Sequence, residues 1–100
     1  MPTIGDLSAD SDIVPAPTQA VEIELSLTTT PVEAKVGASP LTERRFVEIF
    51  ANDKDVRWGY STLCPFLLPK DGFISIFAGS TCTIYIRSAK GTSTAIVAEK

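Results

Sequence analysis

A chain of 100 residues has room for one domain, and its formal net charge of −3 is not basic enough to make nucleic acid its main ligand. It contains no histidine, which removes the commonest general base and the commonest transition-metal ligand, and its two cysteines, Cys64 and Cys82, do not make a secreted disulfide framework. No apolar run approaches the roughly 20 residues of a membrane span, and the start lacks the positive charge and continuous apolar core of a signal peptide, so a soluble protein made in the cytoplasm is expected.

Residues 1–20, MPTIGDLSADSDIVPAPTQA, are poor in aromatics and rich in Asp, Ser, Thr and Pro, and read as an extended acidic arm ahead of a domain at 21–100. Pro15-Ala16-Pro17 favours an extended path, because each ring fixes its own φ and biases the residue before it. Ile4, Leu7, Ile13 and Val14 punctuate the polar background, the pattern of an arm that pins itself to a neighbour with a few apolar pegs. Residues 1–34 carry Asp6, Asp10, Asp12, Glu22, Glu24 and Glu33 and no Lys or Arg, whereas from Lys35 onward nine basic residues meet six acidic ones. That split suits an arm docking on a basic surface, its own, a sister subunit's or a partner's; a solvated acidic tail would read the same way.

Val21 to Leu27 (VEIELSL) alternates strictly, with Val21, Ile23, Leu25 and Leu27 on one face, and predicts a half-buried antiparallel strand. Val32 to Val36 alternates again with Glu33 and Lys35 outward, and Gly37 to Pro40 is a turn cluster. Leu41 to Tyr60 is the most organised stretch and predicts a hairpin: Phe46, Val47, Ile49 and Phe50 in one strand, Asn52 to Asp55 as the turn, and Val56 to Tyr60 in the other. Alternation puts Val56, Trp58 and Tyr60 on one face, so the single Trp should face the core. Ser61 to Pro69 contains two prolines, which confine it to an edge or a loop. Lys70-Asp71-Gly72 predicts a turn with Gly72 at positive φ.

GFISIFA (72–78) and TCTIYIRS (81–88) predict two strong strands joined at Gly79-Ser80. Phe73, Ile74, Ile76 and Phe77 leave the first so little polar surface that it belongs at the centre of a sheet or at a subunit interface. In the second, Cys82, Ile84 and Ile86 oppose Thr83, Tyr85 and Arg87. After the turn at Lys90-Gly91, Thr94 to Glu99 closes the chain with Ala95 and Val97 opposed to Ile96 and Ala98. Some seven short strands at spacings of about 8–12 residues predict an all-β domain, a small antiparallel sandwich or barrel. A homo-oligomer is a natural way to support so small a core.

Little here suggests catalysis. Two cysteines without CxxC spacing do not make a zinc site, and neither a glycine-rich phosphate loop nor a GxSxG elbow is present. Asp53 and Asp55 are explained by turn chemistry, and an Asp53/Asp55/Asp71 calcium site lacks an ordered loop of oxygen ligands. The expectation is therefore a protein that is not an enzyme, with no catalytic residues, no cofactor and no metal. Arg44 and Arg45, with Arg57 opposite, are the one basic concentration, either a docking patch for acidic protein surface or strand-edge charge that discourages unwanted pairing.

The succession LTERRFVEIF, a polar turn, VRWGYS, a Pro/Gly connection and DGFISIFAGSTCTIYIRSAKGTSTAIVAEK resembles the small β-rich virion accessory proteins of tailed bacteriophages, over about residues 32–100. The resemblance implies a structural virion protein made in the host cytoplasm: a capsid decoration (cement) protein or head-fibre piece that binds the major capsid protein, as a trimer or dimer. A tail- or fibre-associated receptor- or carbohydrate-binding module is the alternative it leaves. It carries no catalytic residue. For capsid binding, Ile4, Leu7, Ile13 and Val14 are the expected arm pegs and Arg44, Arg45 and Arg57 the expected charged contacts.

Overall fold

The computed structural model describes residues 19–100. Eight strands occupy them: β1 (Val21–Leu27), β2 (Val32–Glu33), β3 (Phe46–Ala51), β4 (Val56–Gly59), β5 (Phe66–Leu68), β6 (Phe73–Phe77), β7 (Tyr85–Ser88) and β8 (Ser93–Glu99). They form two four-stranded sheets, in the orders β1-β8-β3-β6 and β2-β7-β4-β5, with every pairing antiparallel. The expected all-β sandwich is what the chain adopts.

The pairing has a simple logic. β1 pairs with β8, β2 with β7, β3 with β6 and β4 with β5, so the chain is one long antiparallel hairpin whose tip is the loop between β4 and β5. Rolling that hairpin up adds the pairs β3–β8 and β4–β7 and closes the two sheets face to face. Eight strands wrapped in this way make a jelly roll.

Between the sheets lie Leu27, Val47, Ile49, Val56, Trp58, Ile84, Ile86, Ala95 and Val97, all buried. Alternation produces this core: β3 reads Val47, Ile49, Ala51 inward, and β8 reads Ser93, Ala95, Val97, Glu99 inward. Each large aliphatic side chain withdrawn from water stabilises the fold by about 1.5–3 kcal/mol.

The pairing corrects the expected hairpin and the expected central place of the strand at 73–77. The stretch from Leu41 to Tyr60 is not a hairpin, because β3 and β4 belong to different sheets and Asn52 to Asp55 carries the chain across the sandwich. The turn is held open for that crossing by its own acids: Asp53 Oδ1 accepts from Thr94 N at 2.8 Å, and Asp55 Oδ1 accepts from Lys70 N at 2.8 Å. Similarly, the strand at 73–77 does not pair with the one that follows, since β6 and β7 also lie in opposite sheets. Nor is β6 central; it is the edge of its sheet, with Phe73 and Phe77 exposed.

The turn before β6 differs from expectation as well. Asp71 takes the positive φ, at 66°, as Asp tolerates, while Gly72 is required for space: a Cβ there would stand 2.7 Å from Pro69 O. Finally, β1 is covered along only part of its length. Leu25 packs on the core and Leu27 is buried, but Val21 and Ile23 remain exposed on the same face, because the opposing strand β2 is only two residues long.

Candidate interaction surfaces

Ile4, Leu7, Ile13 and Val14 lie outside the described residues. The three arginines expected as charged contacts have three different fates. Arg44 is drawn inside. Glu43 adopts a positive φ of 58°, and the next side chain enters the end of the sandwich, where its guanidinium and Glu99 are both buried and meet at 2.7 Å. Arg44 Nε donates to Ala78 O at 3.1 Å, and Nη2 donates to Gly79 O at 2.8 Å and to Cys82 O at 2.7 Å. The Glu99 carboxylate also accepts from Val36 N at 2.8 Å and Leu41 N at 3.2 Å. The pair thus clasps the β2–β3 loop, the β6–β7 loop and the end of β8, and Arg44 is unavailable to a partner. Its partner Glu99 was legible: alternation places it in phase with Ala95 and Val97, and an inward carboxylate needs a cation.

Arg57 is half-buried and turned to a local task. Its Nε donates to Cys64 O at 3.2 Å and its Nη2 to Pro65 O at 2.8 Å, fixing the tip of the long hairpin. Gly59 lets that tip fold back, since a Cβ there would sit 2.5 Å from Pro65 Cδ. Cys64, buried in the same tip, has its thiol pushed up by desolvation against the opposing pull of Arg87 and Arg57. Cys64 and Cys82 are both free thiols. Only Arg45 stays on the surface, its N–H and C=O taken up by Lys100 O and Ala78 N.

The tip pinned by Arg57 presents an apolar ledge. Tyr60, Leu63, Phe66 and Leu67 are 56%, 79%, 46% and 51% exposed. Trp58 lies beneath it, 9% exposed, with its ring centroid 5.7 Å from Tyr60 and 4.8 Å from Phe66. Trp58 therefore faces the core as expected, and the exposed aromatic surface belongs to its neighbours. Tyr60 and Phe66 both pack on the Trp58 ring, whereas Leu67, opposite Arg57, faces the other side of the sheet; exposed apolar side chains gathered at one tip mark a place of association.

A second apolar surface follows the outer face of β3 and β6. Phe46 and Phe77 are cross-strand partners with rings 5.5 Å apart, edge to face, and Phe50 pairs with Phe73 four residues along the strand. Between the two Phe pairs lie Glu48 and its cross-strand partner Ser75, with Glu48 beside Lys100 at 3.0 Å.

The carboxylates of the acidic turn are tied to the backbone. Asp53 and Asp55 line an open cleft of about 610 Å³ with Lys54, Lys70 and Lys90, but each spends a carboxylate oxygen on a backbone N–H. The Thr94 N–H holds the Asp53 carboxyl below its ordinary value. Asp71 does not line this cleft, and among the described residues no three His, Cys, Asp or Glu side chains group as metal ligands do. Nor is any described helix long and apolar enough to cross a membrane. Comparison with protein-family models, with curated proteins and with solved structures finds no match.

Proposed function

We propose that this chain is a non-enzymatic structural protein of a phage particle, which binds the major capsid protein in the assembled shell and stabilises it, with the acidic N-terminal segment docking on neighbouring subunits. The exposed apolar tip, with Tyr60, Leu63 and Phe66, carries this reading. It is apolar, exposed and preorganised by the Arg57 bonds to Cys64 and Pro65, so little ordering cost remains when a partner covers it. The jelly roll supports the reading by analogy alone, as a fold used by viral capsid and lectin domains among others. Arg45 remains the exposed basic contact of the expected three.

The test is co-sedimentation of the full chain with assembled phage shells and, separately, with free capsid subunits. Binding to shells is expected, and deletion of residues 1–20 should leave the β-domain folded by circular dichroism while abolishing it. Binding that survives the deletion removes the segment from the mechanism; indifference to shells removes the capsid reading.

One observation favours a second reading, a tail- or fibre-borne carbohydrate module. The exposed ring of Tyr60 beside Trp58 could stack on a sugar face. A shift of Trp58 emission on titration with glycans would favour it, whereas a blue, quencher-protected and glycan-insensitive emission supports the capsid reading.

A further inference from the structure

We propose that the chain pairs with a second copy of itself through β6, edge to edge and antiparallel, about a two-fold axis passing beside Ser75. Three observations lead there, and none depends on the capsid reading.

The first is that, among the described residues, β6 is the one unguarded edge. Four strands end the two sheets: β1, β6, β2 and β5. Edges invite pairing with other chains, and proteins blunt them with charge, proline or brevity. β1 carries Glu22 and Glu24, β2 is two residues long, and β5 is three residues long between Pro65 and Pro69. β6 has five residues, Phe73-Ile74-Ser75-Ile76-Phe77, with no charge, no proline and no glycine.

The second is which backbone groups point outward. In an antiparallel ladder, residues along one strand alternate between bonding to the neighbour and facing away from it. Ala51 N bonds Gly72 O and Ala78 N bonds Arg45 O, which places Ile74 and Ile76, in phase with 72 and 78, toward β3. The N–H and C=O groups of Phe73, Ser75 and Phe77 therefore face the open edge.

The third is the sequence of the strand, which reads the same in both directions. A two-fold interface must be self-complementary. With Ser75 opposite the second copy's Ser75, each Phe73 meets a Phe77 and each Ile74 an Ile76. In this register the outward groups of Phe73, Ser75 and Phe77 meet their counterparts, giving six backbone hydrogen bonds, two at each pair. No like charges are brought together. A shift by one residue would set outward groups against inward ones, and a shift by two would leave only two of the three outward pairs within the strand, so the centred register makes the most bonds.

The area at the seam is small, as suits a dimer that dissociates on dilution. Phe73 and Phe77 are 60% and 78% exposed, which at about 200 Å² per side chain offers roughly 280 Å² of ring surface per copy at most. Both copies together, with the backbone strip between them, stay below the ~1,200 Å² of standard interfaces and in the size class of weak, transient ones.

Sedimentation velocity over a dilution series tests this. The parent chain of 10.7 kDa should pass from one chain mass to two as concentration rises. Two double variants isolate the surface: Phe73→Lys with Phe77→Lys, and Phe73→Glu with Phe77→Glu. Each opposes like charges across the axis and should stay at one chain mass with an unchanged circular dichroism spectrum. Mixed one to one, they should form a heterodimer, because every cross-axis pair is then Lys with Glu. A misfolded variant could not be rescued in this way. Ser75→Pro removes only an outward N–H, spares the bonds to β3, and should also give one chain mass. A parent that stays at one chain mass, a three-chain assembly, or like-charged variants that still dimerise would each overturn the proposal. A dimer that ignores shells would overturn the capsid reading alone, and a shell-binding monomer this proposal alone.

Discussion

Arg44 and Arg45 are adjacent and chemically identical, and they should respond to mutation quite differently. Arg44→Ala leaves the Glu99 carboxylate buried without its cation and strips three carbonyls of a donor, so a loss of about 3–5 kcal/mol is expected in urea denaturation. Arg45→Ala touches only exposed surface and should fall within about 0.5 kcal/mol of the parent. A composition argument could see the basic pair but not which member turns in; the positive φ of Glu43, on which that depends, leaves no mark in a Thr-Glu-Arg-Arg run. Asp53 supplies the pH dependence. Its folded carboxyl lies below 3.8 because of the Thr94 N–H, so its contribution is complete above the unfolded value and is lost as the pH falls through the folded one. Asp53→Asn should flatten the acid limb of a plot of melting temperature against pH, slightly, since the group is exposed.

At the scale of elements, side-chain alternation was legible and partnership was not. The phase of β3 follows directly from its sequence, since a buried face demands apolar residues at every second position, whereas β8 turns inward the face that carries Ser93 and Glu99 as well as Ala95 and Val97. Which strand lies alongside is set by distant contacts: a four-residue polar turn after β3 fits a tight hairpin, and only the bonds from Asp53 to Thr94 and from Asp55 to Lys70 show that it spans two sheets. The reading of FISIF as central or interfacial failed in its first half for the same reason, as apolar composition cannot distinguish a strand covered by its own sheet from one left at the rim. The prolines at 65 and 69 were better guides, placing β5 at an edge. The tip they bracket is tightly built. Gly59→Ala should cost about 1–3 kcal/mol in thermal or urea unfolding, because the added methyl cannot avoid the Pro65 ring without moving the loop. The same substitution should loosen the ledge that Arg57 holds.

For the whole molecule, the decisive fact is that the first described strand pairs with the last, Val21 opposite Glu99. Contacts so distant in sequence must wait for the intervening chain to be organised, so refolding is expected on the millisecond-to-second scale of non-local β proteins. Trp58 fluorescence in stopped-flow mixing would report it, and a microsecond phase carrying the whole amplitude would contradict it. The pairing of β1 with β8 has a further consequence. Residues 21 and 99 are direct ladder partners, with α-carbons about 5 Å apart, and the chain leaves both at the same end of the sandwich. A short peptide bridge could therefore close the backbone into a ring, and the ring could be cut again at the polar bend of Asn52 to Asp55 without parting any of the paired strands. The order in which the eight strands are written along the gene is in that sense incidental: the same closed circuit could be read out from a different starting point.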